Sequence, residues 1–284
     1  MAMASMQKVM TQGGSRLRCA VWSVGLAMVA ALAAAQAPPP GGPPPGAEPA
    51  ANPFAPPPLP AGAPGASPDP RNFDGTWYHN SRLVMQIITD MFGDAAPLNE
   101  AGRKVVNRRV RALRDGTPFI NASARCVPMG HPWQMDLNMP FQILQSKDRF
   151  EFLFEEYHGL VTVQMDPAKA LPPGYMGSSV GRWDGDTLVV ETSGFKDGLW
   201  LDVTGTPASK SAKLTQRIRK VKTDHWFLEV IFTIEDPTYY TRPWTWVRGY
   251  DWRPDMRLFR EYNCEVQTGA KSGLDPSLVP EPND

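Results

Sequence analysis

The sequence predicts an all-β domain: one antiparallel meander rolled into a barrel or deep half-barrel, carrying a single short amphipathic helix. A β-sandwich is the alternative. Three observations lead there. Strand-length runs with period-two alternation follow one another from Phe141 to Trp252, separated by turn residues at hairpin spacing. Only Asn99 to Arg114 repeats its apolar residues with confident helical spacing. About nine such strands within about 195 residues, Asn72 to Gln267, fit one closed sheet of ordinary domain size.

The chain before that domain reads differently. Lys8, Arg16 and Arg18 precede an apolar run from Ala20 to Ala35, with small residues at Ala33, Ala35 and Ala37. A basic start, a short apolar core and small residues form the pattern of a cleaved secretory signal over residues 1–37, which implies a periplasmic or secreted protein. An uncleaved anchor is the alternative, and a lipid-modified Cys19 fits poorly because that cysteine precedes the apolar run. Residues 38–71 hold half of the chain's 30 prolines, together with Ala and Gly. Too little apolar surface is available there to offset ordering, so an extended linker is expected.

Asn72-Phe-Asp-Gly-Thr-Trp-Tyr78 opens the domain, and Arg82 to Phe92 is ambiguous between helix and strand. In the helix, Asn99 is a ready N-cap, Val106, Val110 and Leu113 recur on one side, and Arg103, Lys104, Arg108, Arg109, Arg111 and Arg114 form a basic face. That face is either simply solvated or a peripheral contact for anionic lipid or an acidic partner. A loop through Cys126, Pro128 and Pro132 leads to strands at Phe141–Gln145 and Arg149–Tyr157. Phe150, Phe152 and Phe154 share a face, and Glu156 and His158 continue it unless the strand stops near Glu155. After a Pro- and Gly-rich loop at 167–177, Ser178–Trp183 and Thr187–Thr192 flank Asp184-Gly185, a two-residue hairpin signal.

Gly194 to Gly205 is a loop bearing Asp197, Trp200 and Asp202. Lys213–Val221 sets Gln216 between Leu214 and Ile218, so its amide needs a partner. Trp226–Glu235 puts Trp226, Leu228, Val230, Phe232 and Ile234 on one side and Glu229 on the other. Trp244–Trp252 puts Arg248 among Trp244, Trp246, Tyr250 and Trp252, an arrangement suited to cation–π stacking, with Trp77 as the expected partner. Arg257 to Glu265 is the expected last strand, and 268–284 a flexible tail.

Lys plus Arg and Asp plus Glu number 29 each, so no charge excess favours nucleic acid. No phosphate-binding loop, dinucleotide fingerprint, His-Glu-x-x-His helix or nucleophile elbow is present, and the four histidines give no metal-ligand spacing. No cofactor and no metal are expected. Once the signal is removed, Cys126 and Cys264 remain; an even count in an oxidising compartment favours a disulfide over metal binding, contributing roughly 2–5 kcal/mol.

Gly75-x-Trp77 resembles the opening of lipocalin-like barrels, in which the indole plugs the closed end beneath a late-strand arginine. A broader likeness covers most of the domain. Arg125-Cys126-Val127-Pro128, Glu155-Glu156-Tyr157-His158, Gly181 to Phe195, Trp200-Leu201-Asp202 and Glu261-Tyr262-Asn263-Cys264-Glu265 resemble the successive elements of a family of secreted bacterial proteins with no established activity. Its most specific element is Gly-Arg-Trp-x-Gly-Asp-Thr-Leu-Val-Val-x-Thr-x-Gly-Phe. The resemblance also implies that Cys126 and Cys264 pair. This chain departs from the pattern at Thr206, Ala208, Lys213 and Gln216, where the family carries three histidines and a glutamate.

Two functions are expected from different classes. One is a binding module holding an apolar or aromatic small molecule in the barrel, with Trp183, Trp200, Gln216, Glu229, Trp246 and Arg248 as ligand contacts. The other is a cofactor-independent lyase, isomerase or hydrolase. It would use Glu156, His158, Glu191 and Asp202 for acid–base chemistry at the cavity mouth, with Glu191 pointing inward. A structural envelope protein without a ligand is the plain alternative, and the oligomeric state is open. Binding is preferred over catalysis because the pattern's acid–base residues are replaced here.

Overall fold

In the computed structural model, residues 58–80, 88–90, 92–115, 126, 128–137, 139–196 and 198–258 are described. The expected signal 1–37, linker residues 38–57, Arg82–Ile87, Cys264, the last strand beyond Leu258 and the tail lie outside them.

The strands are β1 (Gly75–His79), β2 (Phe141–Gln145), β3 (Arg149–Phe154), β4 (Leu160–Gln164), β5 (Ser178–Asp184) and β6 (Thr187–Ser193). Then follow β7 (Leu199–Trp200), β8 (Pro207–Ala208), β9 (Lys213–Lys222), β10 (Trp226–Glu235) and β11 (Trp244–Trp252). Nine of them close a barrel in the order β1-β11-β10-β9-β6-β5-β4-β3-β2, while β7 and β8 pair apart from it. Closure runs through β1, which pairs with β11 at Trp77↔Trp252 and with β2 at Trp77↔Phe141. The barrel reading therefore holds, and the sandwich does not.

The meander is not wholly antiparallel. β4 and β5 run parallel, joined at Val163↔Ser179 and Gln164↔Val180. Parallel neighbours need a long return of about a dozen residues or more, and the loop at 165–177, stiffened by prolines, supplies it. β6 pairs directly with β9 across the β7–β8 excursion.

Period-two alternation sets the interior. Leu214, Gln216 and Ile218 on β9, Leu228, Val230, Phe232 and Ile234 on β10, and Trp244, Trp246 and Tyr250 on β11 are all buried. Gly75 takes φ 130, and a Cβ there would stand 2.1 Å from the Trp252 ring, so only glycine lets this indole close over β1. The hairpin of β5 and β6 is turned by Gly185-Asp186, because Asp184 pairs with Thr187. Gly185 supplies the positive φ, 59, at the first loop position.

Two segments cover the ends. At the end where β11 finishes, residues 64–73 form a strap. Trp252 Nε1 donates to the Pro64 carbonyl at 2.8 Å, and Lys220 Nζ donates to the carbonyls of Ser67 and Asn72 at 2.6 and 2.7 Å. Phe73 packs between Phe150 and Trp183. The last part of the expected linker is thus tied down, since its backbone carbonyls meet buried donors. At the opposite end, Met129–Leu137 forms a plug with a single 3₁₀ turn at Trp133–Asp136, every residue of which is buried.

The helix α1 (Glu100–Arg114) is capped as expected, Asn99 accepting from the Gly102 N–H at 3.0 Å. Its docked stripe differs, being Gly102, Val105 and Arg109 rather than Val106, Val110 and Leu113. Gly102 lets the helix meet the Tyr239 carbonyl, and Arg109 lies over Trp200 and donates to the Gly205 carbonyl at 2.8 Å. Burial lowers the Arg109 pKa to about 10. The basic face is therefore only partly solvated, and Arg103, Lys104, Arg111 and Arg114 are its exposed members.

Lys220→Met tests the strap. It keeps the apolar stem and leaves two carbonyls without their donor, so it is expected to cost about 1–3 kcal/mol. Limited proteolysis should cut within residues 58–72 faster than in the unchanged protein.

Candidate functional site

The plug delivers polar groups into an otherwise apolar barrel. His131 is 1% exposed and lies edge-on to Phe152 and Phe154, with ring centroids 5.6 and 5.5 Å away. Its Nδ1 is 3.0 Å from Gln216 Oε1, and Gln216 Nε2 approaches the Met135 sulfur at 3.7 Å. With the amide oriented towards that sulfur, Nδ1 carries the proton and Nε2 the lone pair. Burial away from any carboxylate lowers the His131 pKa to about 4. The imidazole is neutral at pH 7.

The second plug contact is ionic. Arg248 Nε donates to Asp136 Oδ2 at 2.9 Å, with the two side chains only 10% and 6% exposed. The Tyr250 hydroxyl donates to Asp136 Oδ1 at 3.3 Å. Burial raises the Asp136 pKa, opposed by Arg248, and holds the Tyr250 hydroxyl well above its ordinary value. The expected cation–π partnership of Arg248 with Trp77 is replaced by this pair. Trp77 instead packs edge-on to Trp252 and donates to the Phe73 carbonyl.

The strand register brings these groups to one region. Gln216 pairs with Phe232, which pairs with Trp246, so histidine partner, phenyl and indole form one inward row. Phe232 and Trp246 stack at 5.3 Å, and Trp244 lies 4.9 Å from Trp246.

Of the expected ligand contacts, Gln216, Trp246 and Arg248 thus come together. The other three do not join them. Trp183 belongs to the strap end, with Arg71 5.3 Å above it. Trp200 is stacked on Trp133 of the plug at 5.9 Å and covered by Arg109. Glu229 faces outward and pairs with Arg219 at 2.6 Å, because its strand position has the opposite parity to the core residues.

The four acid–base candidates are dispersed. β3 ends at Phe154, and the left-handed residues Tyr157 and His158, at φ 57 and 48, turn the chain, so the phenylalanine face does not extend to Glu156 or His158. Gln134 of the plug holds that turn by donating to the Glu156 carbonyl at 2.7 Å, and His158 is exposed. Glu191 points outward rather than inward and pairs with Arg182 at 3.2 Å, both side chains more than half exposed. It lines a groove of about 470 Å³ with Ser178, Val180, Lys213, Leu214 and Glu235, a mixed polar and aliphatic surface unlike the aromatic barrel interior.

Asp202 is fully buried and accepts from the backbone N–H of Ile88, Thr204 and Thr206 and from the hydroxyls of Thr204 and Thr206. That is the bonding of a carboxylate that fastens a loop. The loop's other acid, Asp197, lies outside the described residues.

His131, Trp133 and Asp136 were not among the expected site residues. Their signal was present: Met129, His131, Trp133, Met135 and Leu137 alternate along a loop, and so many large side chains in an irregular segment require a surface to cover. Compared with family models, curated proteins and solved structures, the chain matches none.

Two outcomes check this geometry. Asp202→Ala should destabilise the fold by about 3 kcal/mol or more, since several buried donors lose their acceptor, whereas Glu191→Gln should change stability by less than about 1 kcal/mol. Chemical denaturation at pH 7 measures both. For His131, the unfolded imidazole takes a proton near pH 6.5 and the folded one only near 4. Its contribution to stability is therefore intact above pH 6.5 and is lost as the pH falls towards 4, by on the order of 3 kcal/mol. The raised Asp136 pKa acts in the opposite direction, so the His131→Asn protein, compared at each pH, isolates the imidazole. Gln216→Glu should raise the His131 pKa, read by NMR of its ring protons, because a carboxylate would then face Nδ1.

Proposed function

We propose that this protein is an exported small-molecule binder whose barrel interior, beneath the plug, holds an apolar or aromatic ligand. The observation that carries the reading is the composition of that region. Phe152, Phe154, Phe232, Trp244, Trp246 and Tyr250 form a buried aromatic wall, while a few polar groups converge from the plug. Such a mixture is typical of sites that fix orientation with few hydrogen bonds and take affinity from apolar contact. The plug is the point of access. It is fastened to the barrel by side-chain contacts, His131 to Gln216 and Asp136 to Arg248, rather than by a strand ladder, so displacing it breaks fewer backbone bonds than parting two strands.

The catalytic alternative finds less support. Glu191, Asp202 and the Glu156–His158 turn lie on different elements, and Asp202 has its hydrogen-bonding capacity filled. On the family resemblance, position 216 carries a glutamate; with glutamine here, burial keeps His131 neutral without a carboxylate at that position to oppose it. Export rests on the signal-like residues 1–37. The pairing of Cys126 with Cys264 belongs to the same proposal, and peptide mass spectrometry without reduction tests it: a linked pair is expected, and two free thiols would refute it.

The binding reading is tested with N-phenyl-1-naphthylamine, an uncharged aromatic probe that fluoresces in apolar surroundings. Saturable one-to-one enhancement, with energy transfer from the tryptophans, is expected. A linear response without saturation would exclude an interior site.

A further inference from the structure

Resting on that reading, we propose that the ligand carries an uncharged oxygen acceptor, such as a ketone, ester or amide carbonyl, to which Trp244, Trp246 and Arg248 donate. Three donors on the inward face of β11 have no acceptor among the described residues: Trp244 Nε1, Trp246 Nε1 and Arg248 Nη2. They occupy alternate positions of one strand, so all three side chains leave the same wall. Both indoles are fully buried and in contact with each other. A buried N–H without an acceptor is destabilising, and native proteins rarely leave several in one place. A carbonyl oxygen, with two lone pairs, answers two of the three at a time without filling the wall with polar atoms.

The ionic pair decides the charge of that acceptor. Arg248 is already neutralised by Asp136 at 2.9 Å. A carboxylate ligand would add an uncompensated negative charge beside Asp136 in a region of low polarity, where like charges repel strongly and desolvation is severe. A carbonyl accepts the same hydrogen bonds and adds no charge. Across the interior, His131 Nε2 is likewise buried without a partner among the described residues. With the proton on Nδ1, Nε2 is an acceptor, so the structure assigns the ligand a second feature: a hydroxyl or N–H group.

Three probes with one ring system test this. They are 2-acetonaphthalene (ketone), 2-ethylnaphthalene (its hydrocarbon counterpart) and 2-naphthoate (carboxylate), titrated calorimetrically at pH 7.5 into the whole protein. The ketone is expected to bind about ten-fold more tightly than the hydrocarbon, as one or two good hydrogen bonds would give. The carboxylate should bind more weakly than the ketone.

In protein carrying ¹⁵N-labelled tryptophan, the ketone should shift the indole N–H signals of Trp244 and Trp246, and the hydrocarbon should not shift them comparably. This measurement needs no substitution in the core. Trp246→Phe, which removes an indole N–H together with part of the apolar wall, should weaken the ketone more than the hydrocarbon and narrow the ten-fold difference between them. Equal affinity for ketone and hydrocarbon would overturn the acceptor proposal and leave the binding reading standing. Tighter binding of the carboxylate would overturn it in favour of an anion site. Failure of all three to bind would remove the proposal and the interior site together.

Discussion

The contact between Asp136 and Arg248 is the constraint on which the plug end depends. Two charges are taken out of water there, and their attraction compensates only because Arg248 Nε meets a carboxylate oxygen directly and Tyr250 supplies a second donor. Removing either partner would strand a buried charge. With Asp136 fixed on β11, the 3₁₀ turn is fixed, and His131 is delivered to Gln216 on β9. Trp133 in turn is set against Trp200, and Trp200 carries Arg109 of the helix. A loop, a two-stranded excursion and a helix are therefore registered on the barrel through one buried pair.

That dependence also explains which charges matter. The hairpin of β5 and β6 carries Arg182, Asp184, Asp186 and Glu191, yet all four pair in solvent, with Arg71 and Arg217 among their partners. Pairs of that kind contribute little. Arg182 and Arg217 have another role: both stand beside Val189 in register, and their stems cover it, so it is 1% exposed on the outer wall. The polar groups of consequence are fewer and lie inside.

Much of the fold was legible because it is local. The bounds of β2, β10 and β11 follow from alternation of aromatic and β-branched residues, and Asn99 announces the helix. What escaped was non-local or broke periodicity. β4 was missed, and its partner β5 lies across a proline-rich loop. Glu191 alternates with the apolar Val189, which suggests an inward side chain, but Leu188, Val189 and Val190 are consecutive and all buried, which conceals the parity of the strand. The turn after β3 uses left-handed Tyr157 and His158, residue types that give no warning of it. For the site, β9 and β11 gave Gln216, Trp246 and Arg248, while the plug alternates its large residues without forming a strand, so its sequence did not say which surface they cover.

The parallel junction of β4 and β5 has the shortest ladder in the barrel wall, two paired positions against ten between β9 and β10. A closed sheet has no free edges, which is its protection against pairing with other chains. That protection is only as good as its weakest junction. Parting this one converts the barrel into an open sheet bounded by β4, whose Leu160-Val-Thr-Val163 core is uncharged and, after Leu160, β-branched. This parallel junction is thus also where self-association through strand edges would start, and the return over 165–177, stiffened by prolines, is the covalent link between the two edges.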